Sequence, residues 1–150
     1  MPEKIIKRDV IVSIRPNYAS QILNGQKTVE LRRKFPSTSA TGALALIYSS
    51  SPVQAIVGYA TISDVVELSI GQIWRQYGKS ACIDKVDFFH YFEGLNRGFV
   101  ILLSNVRALQ KQLSVAHLSK EYGFVPPQSF RYLDEDYRSL LRHERLQVSR

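Results

Sequence analysis

The apolar positions of this chain switch repeatedly between a period of two and a period near 3.6, so short strands and short helices are expected to alternate. The β-branched run Val10 to Arg15 stops at Pro16, which cannot donate to a ladder, and predicts a first strand. Pro16 suits the first turn of a helix; Tyr18, Ala19, Ile22 and Leu23 follow at helical spacing, and Gly25 stands just past them as a stop. From Lys27 to Lys34 the pattern alternates, with Val29 and Leu31 pointing one way and Thr28, Glu30 and Arg32 the other, as in a half-buried strand. After a turn-rich loop over 35–42, the runs Ala43 to Ser49 and Gln54 to Ile62 predict a hairpin across Ser50 to Pro52.

The second half continues in the same manner. Ser69 and Gly78 bracket a helix ending at Tyr77, with Trp74, Ile70, Ile73 and Tyr77 as a docking stripe. Ser80 and Gly94 bracket another helix, ending at Tyr91 or Phe92. Gly98 to Val106 predicts a strand, and Val115 to Tyr122 a helix that closes at Gly123. Pro126 and Pro127 exclude a central strand, so 125–132 is expected to turn into a short edge segment. Asp134 caps a last helix with Leu133, Tyr137, Leu140 and Leu141 as its stripe and Arg138, Arg142, Arg145 and Arg150 outside it. The chain therefore reads as α+β, with an N-terminal extension over 1–9, one domain over 10–133 and a basic C-terminal helix over 134–150.

Composition narrows the classes. At 150 residues, 45% hydrophobic and 22% charged, the chain suits one globular domain. Its apolar runs stop well short of the roughly 18 residues that cross a bilayer, and no signal peptide is recognisable, so a cytoplasmic location is expected. Cys82 alone forms no intramolecular disulfide or cysteine-based zinc site, and His90, His117 and His143 are scattered, so no metal or cofactor is expected. Lys and Arg outnumber Asp and Glu by 20 to 13, with 9 against 5 in the first 75 residues and 11 against 8 in the rest. The excess is spread along the chain, as expected of a protein that meets phosphates rather than one with a basic tail.

Ready-made enzyme motifs fail. Gly78-Lys-Ser80 lacks the spacing and leading strand of a phosphate-binding loop, and no dinucleotide fingerprint, metalloprotease helix or nucleophile elbow is present. The densest chemical cluster is Gly25-Gln-Lys-Thr-Val-Glu-Leu-Arg-Arg33. Same-face strand neighbours about 7 Å apart can pair with one another as a solvated surface, or grip one ligand through donor and acceptor groups.

Ser13-Ile-Arg-Pro, Tyr18-Ala, Ile22-Leu-Asn-Gly25, then Lys27-Thr-Val-Glu30-Leu-Arg32-Arg33 together resemble the signature region of the ASCH domain, the activating-signal-cointegrator homology family of the PUA-like superfamily. Val57-Gly-Tyr-Ala, Phe89-His-Tyr-Phe-Glu-Gly94 and Pro126-Pro-Gln-Ser-Phe-Arg-Tyr132 extend the likeness in order, to about residues 10 to 133. The resemblance implies a small PUA-like β-barrel of mostly antiparallel strands with flanking short helices, and a cleft beside the first helix. It implies RNA, single-stranded by preference, or a nucleotide-like ligand, and a regulatory role tied to transcription or translation. Carried onto this chain, Lys27, Glu30, Arg32 and Arg33 are the cleft positions, Ser13 and Gly25 shape its entrance, and Ser129 and Tyr132 close it. Chemically, Lys27 offers phosphate a point charge, an arginine fork takes phosphate or guanine, and Glu30 accepts from an exocyclic amine. Tyr18, Tyr48, Tyr59, Phe130 and Tyr132 are stacking candidates, of which one or two are expected to face a ligand.

The alternative is a hydrolase of RNA or of an acylated cytidine, with Lys27 and Glu30 catalytic. Glu30 stands where the small deacylase members carry a second threonine, which weighs against deacylation. An adaptor for an acidic protein partner is a third possibility, distinguished by binding that survives nuclease treatment.

Overall fold

The computed structural model describes residues 8–37 and 40–135, so most of the expected N-terminal extension and all but the start of the C-terminal helix lie outside the described residues. In chain order the elements are β1 (Val10–Ile14), α1 (Pro16–Leu23), β2 (Val29–Arg32), β3 (Leu44–Ser49) and β4 (Ala55–Ser69). Then come α2 (Ile70–Tyr77), α3 (Lys85–Tyr91), β5 (Arg97–Ser114), α4 (Val115–Tyr122) and β6 (Phe130–Tyr132). The strands form one sheet ordered β2-β5-β4-β3-β1-β6, with β1 and β3 parallel and the remaining pairs antiparallel. This is the α+β architecture that the alternating periods predict, curled into a half-barrel with four short helices among the described residues.

Two strands run much further than their hydrophobic patterns indicate. β4 and β5 pair from Ala55 opposite Ser114 to Ser69 opposite Arg97, with register shifts at three places. Each bulge adds an unpaired residue and local twist, which breaks the alternation in sequence and curls the ribbon in space. The hairpin across Ser50 to Pro52 joins β3 and β4 as expected, and β6 is the predicted edge segment, its Tyr132 opposite Val10.

Within the described residues, helix signals were faithful except at one start. Ser69 and Gln72 form a reciprocal capping box on α2, and Gly78 ends it. Ser80 does not cap α3: Asp84 does, accepting from the Asp87 N–H at 2.8 Å, because a turn with Cys82 at φ 55° separates Ser80 from the helix. α3 is pinned by Phe88 and Phe92, both essentially unexposed, against Val29, Leu31 and Val100, with Trp74 of α2 stacked on Phe88 at 5.2 Å. Gly98 permits this seating, since a Cβ there would collide with the Phe92 ring. α1 buries Ala19 and Ile22 against Val10, Val12 and Ile14, which fixes its first turn beside the C-terminal end of β1.

Candidate functional site

A cavity of about 450 Å³ opens where β1 runs into α1, between β2 on one side and α3 on the other. Ser13, Arg15 and Tyr18 line it from the first wall, Glu30 and Arg32 from β2, and Asp87, His90 and Tyr91 from α3. The alternation of β2 accounts for its share: Val29 and Leu31 are buried in the core, which turns Glu30 and Arg32 to the opposite face and into the hollow.

Arg32 spans the open seam of the half-barrel. Its Nη2 donates to the Ser13 carbonyl at 2.7 Å and its Nη1 to Ser129 Oγ at 3.4 Å, while the Ser129 carbonyl accepts from the Ser13 N–H at 2.8 Å. The guanidinium is thereby fixed, yet its Nε is buried with no hydrogen-bond partner among the described residues. Glu30 is arranged similarly: Oε1 accepts from the Leu31 N–H at 3.2 Å, and Oε2 is buried without a partner among the described residues. One orphan donor and one orphan acceptor therefore sit two positions apart on the same strand face.

Lys27, expected beside them, is not among the residues lining the cavity. It is only 3% exposed; its ammonium donates to the Ala81 carbonyl and lies 4.7 Å from the centroid of the Tyr18 ring. Burial pushes its pKa below the usual lysine value, while the nearby Glu30 pulls the other way. Around it the α1–β2 and α2–α3 connections are clasped, Thr28 N–H to Ser80 carbonyl at 3.0 Å and Cys82 Sγ to Gln26 carbonyl at 3.3 Å.

The remaining expected positions divide. Ser13 lines the hollow and Ser129 holds Arg32. Gly25 ends α1 at φ +87°, a conformation that suits glycine, and does not line the cavity. Arg33 turns away to the end of α3, donating to the carbonyls of Tyr91 at 2.8 Å and Glu93 at 3.0 Å. Tyr132 packs under the Arg8 guanidinium, 3.7 Å from its ring centroid. Of the stacking candidates Tyr18 reaches the cavity; Tyr48 and Tyr59 belong to the cluster around Leu46, and Phe130 packs on Phe35 at 4.9 Å.

The third wall is Asp87, His90 and Tyr91; as a site the three were not read together from sequence, although their i, i+3, i+4 spacing on one helix face was a usable signal. The Tyr91 hydroxyl donates to the Leu31 carbonyl at 3.2 Å, and burial raises its pKa, as it does that of Tyr18. The lining thus carries two carboxylates, two guanidiniums, an imidazole and two phenols, a mixed set suited to a ligand with both polar edges and negative charge. Among the described residues no group of three or more His, Cys, Asp and Glu could hold a metal ion, and no helix is long and apolar enough to cross a membrane.

A curled, mostly antiparallel sheet with short flanking helices and a polar cleft beside the first of them defines an α+β half-barrel. The ASCH domain profile matches residues 12–137, and the chain belongs to the ASCH domain family. It is 29% identical over 131 residues, 87% of each chain, to an ASCH domain-containing ribonuclease of Zymomonas mobilis subsp. mobilis. It is similar to the crystal structure of ASCH from Zymomonas mobilis, with a TM-score of 0.82 at 28% identity, covering 91% of this chain and 94% of that one. Human THYN1 protein, solved in complex with 5-methylcytosine containing DNA, shares the fold with a TM-score of 0.55 at 10% identity, covering 95% of this chain and 100% of that one.

Proposed function

We propose that this protein binds single-stranded RNA by taking one nucleotide into the cleft between β2 and α3. The observation that carries the reading is the pair of orphaned buried atoms, Glu30 Oε2 and Arg32 Nε. Leaving such atoms unpaired costs about 1–3 kcal/mol each, and a nucleobase edge, with a donor beside an acceptor, restores both partners. Tyr18 offers a ring for stacking, Arg15 is an exposed charge for phosphate, and the volume falls in the usual range of about 300–1,000 Å³ for small-ligand sites. Lys27, being enclosed, supports the Tyr18 wall rather than gripping phosphate.

A second reading adds turnover. The Zymomonas mobilis relative, which matches most of both chains, is a ribonuclease, and the cleft holds groups able to move a proton beside groups able to neutralise a phosphate. RNA cleavage is favoured over deacylation of cytidine because Glu30 is a carboxylate where the deacylase pattern has threonine.

Fluorescence anisotropy with a labelled single-stranded RNA tests the binding claim. Glu30→Gln and Arg32→Ala are each expected to weaken affinity about tenfold, the loss of one charge-assisted hydrogen bond, and Arg15→Ala to flatten the salt dependence. Unchanged affinity in both cleft variants, with folding verified by circular dichroism, would place the site elsewhere.

A further inference from the structure

We infer that His90 is the general base of RNA cleavage at this cleft, an inference that rests on the ribonuclease reading. Among the described residues it is the one imidazole in the lining. It stands on the face of α3 that also presents Asp87 and Tyr91, and its side chain is 82% exposed, which places it at the mouth rather than in the depth where Glu30 Oε2 is buried. Its Nδ1 faces Glu93 Oε2 at 3.6 Å. A carboxylate against one ring nitrogen leaves the other, Nε2, free to accept a proton, the arrangement in which a base is oriented by a third group.

The groups around it define what it can act on. Glu30 and Arg32 on β2 hold the base of a bound nucleotide, Asp87 shares its helix, and Tyr18 and Arg15 form the opposite wall. With the base held deep, the ribose and its 3′-phosphate lie toward the mouth, where the imidazole and the Arg15 guanidinium are. His90 Nε2 takes the proton of the ribose 2′-hydroxyl as the 2′-oxygen forms a bond to phosphorus. The bond from phosphorus to the 5′-oxygen of the next nucleotide breaks, and that oxygen leaves with a proton drawn from solvent water. The imidazolium returns its proton to the hydroxide so formed, and a 2′,3′-cyclic phosphate remains. Arg15 neutralises the charge that builds on the phosphoryl oxygens.

The full chain is assayed with a labelled single-stranded RNA for cleavage against pH and for the chemistry of the new ends, and with its 2′-O-methyl counterpart for binding. Wild type is expected to release 2′,3′-cyclic ends. His90→Gln is expected to lose about 100-fold or more in rate while binding the 2′-O-methyl strand as before, and added imidazole to restore rate to His90→Gly. Glu93→Gln, which removes the group facing Nδ1, is expected to slow cleavage while leaving binding of the 2′-O-methyl strand as in wild type. Cleavage by His90→Gln at the wild-type rate and pH profile, or ends that never pass through a cyclic phosphate, would overturn the assignment and leave the ribonuclease reading standing. A wild type that binds RNA without cleaving it would remove both and leave the binding claim intact.

Discussion

Lys27 shows how one residue's chemistry changes with the face it occupies. An ammonium taken out of water needs compensation, and here it receives the Ala81 carbonyl, the Tyr18 ring and a longer-range pull from Glu30. The alternation that sends Glu30 and Arg32 into the cleft puts Lys27 on the parity of the buried Val29 and Leu31, so its enclosure was legible in the sequence once face was weighed above charge. The folded protein holds its pKa below the ordinary 10.5, so between those values the unfolded chain binds more protons and stability rises with pH. Tyr18 and Tyr91, raised above 10.0, act oppositely only at higher pH, where unfolded phenols ionise first and stability falls. Denaturant titrations at pH values below 10.0 should therefore show a rising stability in wild type that Lys27→Met lacks; parallel slopes would mean the ammonium is well solvated.

Among the elements, α3 carries the third wall of the cleft, and its position depends on both ends. Asp84 caps the start, Phe88 and Phe92 seat the middle, and Arg33 closes the end by bonding the Tyr91 and Glu93 carbonyls. Arg33→Ala is expected to cost about 1 kcal/mol, the low end for a charged hydrogen bond at an exposed site, and to speed amide exchange over residues 91–93 in mass-spectrometric measurements. α1, α2 and α4 were readable because proline, serine and glycine mark their ends locally. The start of α3 was not, because the left-handed Cys82 and the clasp on Gln26 are set by tertiary contacts. The reach of β4 and β5 was hidden by bulges and by exposed positions from Asn105 onward that carry little alternation. Of the cleft, the β1 and β2 sides were legible from the Ser13-to-Arg33 signature, whereas Arg33 and Arg32 were indistinguishable until the α3 carbonyls were located.

At the scale of the molecule the sheet's edge strands, β2 and β6, do not pair with each other; Arg32 of β2 bridges to Ser13 of β1 and to Ser129 just before β6. Arg32→Lys keeps the charge but loses the planar two-point grip, and calorimetry should show Tm lowered by about 2–4 °C for each kcal/mol the bridge contributes. RNA that occupies Nε should raise the Tm of wild type and leave that of Arg32→Lys nearly unchanged. The formal charge of +7 favours approach of any polyanion, and the cleft then selects what enters. A different consequence follows from the antiparallel match of Val10 with Tyr132. The first and last strands of the described sheet therefore lie side by side, roughly 5 Å apart at that rung. Unzipping β6 would bare the outer rim of β1 over Val10 to Val12, so the last strand of the described sheet shields the first from strand addition by another chain.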